Sequence, residues 1–410
     1  MKKRNAVVAQ SGGPTCAINA TLAGVVRGAA ASEEIGTLYG ALNGIEGMLD
    51  GDGRVVDLGS LIKDSDGIRL LAATPAAALG SCRKKLPLPD DPDGQATYGK
   101  LFDFFARYDI GYFFYIGGND SMDTADKVSK YAAAHGIDIR VIGIPKTIDN
   151  DLLGTDHTPG YGSAAKYIAV SMAEMIRDCA VYTVKAVTVV EIMGRDAGWL
   201  TAAAALPRLN GEGPDYIYLP ERAFDRDRFI DDVKAALERH PNVVVAVSEG
   251  IRDSEGHYVG EGTQSGSLDV FGHRYLAGTG KALELLVKEK IGCKVRSVEL
   301  NILQRCASHM ASLTDINESL MIGEAGVRAA VSGITGRMMS FERTGGKYSV
   351  RAVSKEISGL ANKVKTVPDK FINSEGNDVT DECVEYLRPL IEGENPIEFV
   401  NGLPRHFVIS

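Results

Sequence analysis

Residues 186–192, Ala-Val-Thr-Val-Val-Glu-Ile, form a nearly unbroken β-branched apolar run. A strand of that pattern is covered on both faces, which is the mark of a parallel sheet wrapped by helices. Similar runs stand at 6–9, 112–116, 141–144, 243–247 and 295–300. Helix-like stretches separate them, at 17–31, 98–108, from 121 to about 135, and 162–180. Strands alternating with helical patterns predict βαβ units, and hence an α/β chain. The rhythm restarts near residue 160, so a second α/β domain is expected there. Residues 370–410 read as polar and irregular, with a helix at 381–391. The shared rhythm of the two halves is consistent with an old duplication.

The 410 residues suffice for two domains, or three. No apolar run reaches the roughly 18 residues of a membrane helix, so no membrane association is expected. The basic start is followed at once by a strand-like run and Ser11-Gly12-Gly13-Pro14, which reads as strand and turn rather than signal peptide. The six cysteines form no Cys-x-x-Cys. That spacing suggests neither a zinc site nor a disulfide framework, and a reducing cytoplasm is the expectation. A net charge of −9 argues against nucleic-acid binding. It leaves room for a small anionic substrate, which needs only a local cationic site.

Four loops follow the expected strands, where open α/β sheets bind ligands. Ser11-Gly12-Gly13 lets backbone approach a phosphate beside a helix N-terminus, although alone it is no more than a strand–helix turn. Gly117-Gly118-Asn119-Asp120-Ser121 repeats the glycines and adds oxygens suited to Mg²⁺, or else an Asn-Asp helix cap. Pro145-Lys146-Thr147-Ile148-Asp149-Asn150-Asp151 places two carboxylates beside one cation. In an extended segment Asp149 and Asp151 share a face, and like charge raises one pKa. A carboxylate there could take a proton from an attacking hydroxyl. A solvated acidic turn explains the acids but not Lys146. Met193-Gly194-Arg195 ends the 186–192 strand with a planar fork suited to phosphate.

Further cations are Arg83-Lys84-Lys85, Arg296 and Arg305; Glu249 ends the 243–247 strand and could hydrogen-bond a sugar hydroxyl. His135, His157, His240 and His273 show no partner in the sequence and read as satisfied or exposed.

In order, Ser-Gly-Gly, Gly-Gly-Asn-Asp-Ser, Lys-Thr-Ile-Asp-Asn-Asp, Met-Gly-Arg, Ser248-Glu249-Gly250 and Gln304-Arg305 resemble the phosphofructokinase family over residues 5–340. The resemblance implies two doubly wound, mostly parallel-sheet domains with the active site between them. It implies a donor domain at 1–160, rejoined at about 304–345, a sugar-phosphate domain at 161–303, and a segment 346–410 packed on the second domain. It also implies Mg²⁺, a homodimer or homotetramer, and subunits that complete each other's sugar-phosphate site.

The resemblance assigns roles. Asp149 is the proton acceptor from the 1-hydroxyl of fructose 6-phosphate. Thr147, Ile148, Asp149 and Asp151 form one substrate segment; Met193, Gly194 and Arg195 form another. Glu249 holds sugar hydroxyls, Arg296 and Arg305 hold the 6-phosphate, and Gly12, Gly13 and Arg83 hold the donor phosphates. Asn119 stands at the metal position, where an acid is usual.

ATP-using members carry Gly at the positions of Asp120 and Lys146. A carboxylate at 120 crowds and repels an α-phosphate, and Lys146 can stabilise pyrophosphate. Such a preorganised donor is worth about 3 kcal/mol in a transition state. The implied function is reversible phosphoryl transfer from pyrophosphate to fructose 6-phosphate. The alternatives are the ATP-dependent reaction and a non-catalytic regulatory subunit of the same fold. Ile302 replaces the usual His or Tyr before the second Arg, and Ala186 replaces a phosphate-binding Arg of many ATP-dependent members. Other acceptors, such as sedoheptulose 7-phosphate, stay open.

Overall fold

The computed structural model describes residues 3–51, 53–261, 278–360 and 363–409. His273 lies outside them. In chain order the strands of the two main sheets are β1 (Arg4–Gln10), β2 (Ile35–Ala41), β3 (Val55–Asp57), β4 (Ile110–Gly117), β5 (Arg140–Pro145), β6 (Ala186–Ile192), β7 (Tyr216–Tyr218), β8 (Asn242–Ser248), β9 (Lys294–Glu299), β10 (Arg337–Arg343) and β11 (Val350–Glu356). One sheet runs β11-β10-β5-β4-β1-β2-β3 and the other β7-β8-β6-β9. The smaller is wholly parallel. The larger is parallel except where its two edge strands, β3 and β11, pair antiparallel. The fold is α/β, as expected.

Both sheets are wrapped on both faces. Ala6, Val8, Phe114, Ile116, Ile142 and Ile144 face the helices Ile18–Ala30 and Leu313–Val331. Their neighbours Val7, Ala9, Phe113, Tyr115 and Val141 face the helices Pro92–Arg107 and Asn119–Ala134. This is the period-two alternation of a strand buried on both sides. In the smaller sheet Val190, Ile192, Val244 and Ala246 face the helix Tyr161–Cys179. Val187, Val189, Val243, Val245 and Val247 face the helices Arg226–Arg239 and Thr279–Lys290. Helices Ile18–Ala30 and Leu313–Val331 touch backbone to backbone. A Cβ on Gly24 would lie 2.1 Å from Leu320 O, and one on Gly323 2.3 Å from Thr21 O.

Register aligns the strand ends that matter. Gln10 is level with Ile116 and Gly117 with Pro145. Three loops therefore leave the larger sheet side by side, where the strand order reverses between β1 and β4. In the smaller sheet Ile192 is level with Ser248, which brings Met193 beside Glu249.

The segment 346–410 does not pack on the second domain as one piece. β11 extends the larger sheet, and Ile357 and Leu360 join its core. Val367, Phe371, Cys383 and Leu387 pack with Trp199 and Leu200 under the smaller sheet, and Phe407 and Ile409 return to the first core. The apolar residues of this tail are spaced by loops and 3₁₀ turns, so no single face could signal where each one goes. Among the described residues no helix is long and apolar enough to cross a membrane.

Candidate active site

A cleft of about 460 Å³ opens between the carboxyl ends of the two sheets. It is lined by Gly12 and Gly13 after β1, Asn119 and Asp120 after β4, and Lys146–Asp149 with Asp151 after β5. Met193 and Arg195 after β6, Glu249 after β8, and Arg83 and Arg305 complete it.

The β1 loop is fastened from both sides. Ser81 Oγ donates to Gly12 O at 2.6 Å, and Ser121 Oγ donates to Ser11 Oγ at 3.0 Å. Gly12 has φ +80°, and a Cβ there would stand 3.1 Å from Lys146 Nζ. Its N–H is committed to Cys82 O at 3.0 Å. The next helix start is likewise capped, with Ala17 N and Ile18 N donating to Thr15 Oγ1. Gly12 therefore contributes close approach of the backbone rather than its own N–H.

Lys146 is 2 % exposed and donates to Gly13 O at 2.6 Å. Burial pushes its pKa down to about 8, against the pull of Asp149 and Asp151. Burial also raises Asp149, opposed by the Thr147 hydroxyl, Lys146, Arg195 and Arg305. Asp151 is pushed up to about 7, by burial first and then by Asp149. The segment is not extended, as the shared-face argument assumed. Asn150 turns through φ +52° between them, and both acids line the cleft. Thr147 Oγ1 donates to Asp149 Oδ2 at 3.2 Å and accepts the Asp149 N–H at 3.1 Å, which fixes that carboxylate.

Asn119 opens its helix. Its Nδ2 donates to Lys363 O at 3.3 Å, while its buried Oδ1 has no hydrogen-bond partner. Among the described residues no three His, Cys, Asp or Glu side chains converge as metal ligands. Asn119 lines the cleft, and an asparagine oxygen left unpaired there is a hard donor that fits a cation carried mainly by its substrate. Asp120 pairs with Lys85 at 3.0 Å, so its charge is partly answered within the chain.

Gly194 holds φ +136°, and a Cβ there would lie 2.6 Å from Ala197 O. Its N–H donates to Glu249 Oε1 at 3.2 Å, and Ser248 Oγ donates to Gly194 O at 2.5 Å. These contacts join Met193–Arg195 to Glu249. Burial, with Asp149 and Glu191 nearby, pushes Glu249 up to about 8. Arg305 comes from the short helix Leu303–Cys306, and its Nη1 lies 3.7 Å from where a Gly13 Cβ would be.

Three candidates do not line the cleft: Gly194, which sits behind Met193 and Arg195 in their loop, Arg296 and Ile302. Arg296 is exposed on β9, and Ile302 is 53 % exposed beside Arg305's helix. Thr15, Asp196 and Val364 line the cleft and were not singled out by sequence. The histidines do have partners. Buried His157 is bound to Asp156 at 2.9 Å and to Glu318 at 2.7 Å, which raise its pKa despite burial. His240 meets Asp215, and His135 meets Tyr131 O.

A family model described as Phosphofructokinase matches residues 5–330. The chain is 41% identical over 415 residues to the pyrophosphate–fructose 6-phosphate 1-phosphotransferase of Methylococcus capsulatus, covering 100% of this chain and 96% of that one. It is 39% identical over 412 residues to the enzyme of that name from Halomonas elongata, covering 99% and 96%. A solved structure, the pyrophosphate-dependent phosphofructokinase of Nitrosospira multiformis, superposes with a TM-score of 0.88 at 38% identity, covering 98% and 96%. With the family model spanning most of the chain and relatives matching end to end, the chain belongs to the phosphofructokinase family.

Proposed function

We propose that the protein transfers a phosphoryl group reversibly between pyrophosphate and the 1-hydroxyl of fructose 6-phosphate, giving fructose 1,6-bisphosphate and phosphate. The observation that carries this reading is Lys146. It is a buried ammonium against the Gly12-Gly13 loop, at one end of a paired-carboxylate segment. Full-length relatives named for that reaction support it.

Phosphoryl transfer asks a protein mainly for positioning and charge. In this reading Lys146 and Arg83 hold pyrophosphate along the Gly12-Gly13 loop. Asp149 lies across the cleft and accepts the proton of the 1-hydroxyl as it attacks. Its raised pKa makes it a better base than an ordinary carboxylate. Asp151 shares the negative charge, and Thr147 and Ile148 flank the reacting oxygen. Arg195 neutralises charge building on the transferred group, and Met193 and Gly194 fix its loop. Glu249, protonated at neutral pH by its raised pKa, donates to a sugar hydroxyl. Asn119 Oδ1 is the protein oxygen that would hold Mg²⁺, most of whose shell comes from pyrophosphate and water. The bound ion neutralises donor charge.

Donor choice follows from position 120. Its carboxylate, held by Lys85, occupies the start of the helix where a nucleotide's α-phosphate would lie. Because Lys85 answers part of the charge, crowding contributes alongside repulsion.

Arg296 and Ile302 suit a sugar-phosphate site completed by a second subunit, so the working protein is a homodimer or homotetramer in the cytoplasm. Six free cysteines fit that compartment. Arg296→Ala then raises KM for fructose 6-phosphate while leaving KM for pyrophosphate alone. An unchanged sugar-phosphate KM removes Arg296 from the site. A coupled assay with pyrophosphate or ATP tests the reading as a whole, since faster turnover with ATP overturns the donor assignment.

A further inference from the structure

The tail of the chain supplies one side chain to the back of the acidic loop. An antiparallel bridge between Leu152 and Val364 brings Lys365 there, and its own N–H donates to Asp151 O at 2.7 Å. Its ammonium donates to Asn150 Oδ1 at 3.0 Å, Asp156 O at 2.8 Å and Thr155 O at 3.3 Å. All three N–H groups of the ammonium are thereby spent on the single stretch 150–156. The indole of Trp199 flanks it, 5.1 Å from Nζ to the ring centre, and Trp199 Nε1 donates to Lys365 O at 2.8 Å. Lys365 is thus held from the smaller sheet's core and grips a loop of the larger sheet.

What it grips is a left-handed turn. Asn150 is buried and holds φ +52° between the two acids. Asparagine is among the few side chains that adopt this conformation readily, and its neighbours decide whether it is held there. The Lys365 contacts fasten it there, and Lys365 is not among the residues that line the cleft. The turn at Asn150 sets the directions in which its two neighbours, Asp149 and Asp151, enter the cleft.

We propose that Lys365 is a positioning residue for the phosphoryl-transfer base: it acts through Asn150 to aim Asp149 and Asp151. The inference rests on the reading in which Asp149 takes the substrate proton. Lys365 touches neither substrate nor reacting atoms. It also contributes charge, since Lys146 and Lys365 are the cations facing Asp151, with Asp149 opposing them. Asp149 itself faces Lys146, Arg195 and Arg305.

The test uses the full-length protein with pyrophosphate, Mg²⁺ and fructose 6-phosphate. Lys365→Met and Asn150→Gly are compared singly and combined. Loss of aim at the base costs on the order of 10- to 100-fold in kcat, while KM for both substrates stays within about threefold because uniform binding is untouched. The double variant falls no further than the worse single one, since both changes remove one interaction. The acidic limb of kcat/KM moves to higher pH in Lys365→Met, which a purely structural support would not cause. Unchanged kcat and an unmoved limb in folded Lys365→Met overturn the proposal, as does strict additivity in the double variant. If Lys365→Met does not fold, Asn150→Gly carries the test alone. It tolerates the turn but removes the acceptor, so an unchanged kcat there is equally fatal. Failure of the underlying reading shows separately, as wild-type protein that does not turn over pyrophosphate. The variant-to-wild-type ratio is then read with the donor the wild type does use.

Discussion

Lys146→Met keeps the side chain's length and removes its charge. Lys146 titrates at about 8 instead of 10.5 because the protein buries it. Keeping the ammonium charged there costs about 3 kcal/mol relative to water, at 1.36 kcal/mol per pKa unit. Removing it relieves that cost but orphans Gly13 O, worth about 1–3 kcal/mol. The two offset, so the variant folds with a melting temperature close to wild type. The charge matters when pyrophosphate arrives, because an anion restores what burial took away. Losing one preorganised donor aimed at developing charge costs about 100- to 1,000-fold in rate. The sign of the pH effect is fixed: the useful form is the cation, present below about 8 and lost above it. Wild type therefore shows a basic limb near that pH in kcat/KM for pyrophosphate, the quantity that reports free-enzyme groups. In Lys146→Met the plateau falls and the limb vanishes. Comparing the two proteins cancels the titration of pyrophosphate itself. A limb that persists unaltered in the variant, or a kcat/KM near wild type, would refute the role given to Lys146.

Asp149→Asn is expected to lower kcat by about 100- to 10,000-fold with modest change in KM, because it removes the base and keeps the shape; a loss confined to KM contradicts the assignment. Asp120→Gly combined with Lys146→Gly restores the residues of ATP-using relatives. It should abolish pyrophosphate turnover and open a site for ATP, detectable by calorimetry, and unchanged pyrophosphate kinetics would count against the donor argument. Gly194→Ala forces a Cβ into φ +136° and to 2.6 Å from Ala197 O. It should cost about 1–3 kcal/mol in backbone strain and weaken sugar-phosphate binding through Glu249; wild-type KM and thermal stability would show that the turn has room.

What could be read in advance divides along physical lines. The strands β1, β4, β5, β6 and β8 were legible because apolar runs signal burial on both faces; β9, an edge strand with no buried residue, was marked by its valines alone. β2 was not, since Ile-Gly-Thr-Leu-Tyr-Gly-Ala breaks its pattern with glycines, and Gly40 is small because Leu79 presses where its Cβ would be. The edge strand β11, Val-Arg-Ala-Val-Ser-Lys-Glu, carries the polar composition of an edge and reads as loop. The cleft was legible at loops whose motifs sit directly after strands, as at Lys146 and Arg195. Lys365 was not, because it comes from an irregular tail and two of its three ammonium contacts are to backbone carbonyls, which carry no residue code. Neither was the pairing of Asp120 with Lys85, which joins two loops whose proximity only the sheet order sets. The Asn150 turn stayed hidden because nothing in Asp-Asn-Asp marks the one residue that leaves the extended region.

Initial rates of fructose 1,6-bisphosphate formation from fructose 6-phosphate and Mg²⁺, with pyrophosphate or ATP as donor at equal concentration, decide which donor the protein uses. The account expects rapid turnover with pyrophosphate, release of phosphate, reversal on adding phosphate to the product, and little or no rate with ATP. A higher rate with ATP, or no turnover of purified protein with either donor, contradicts it.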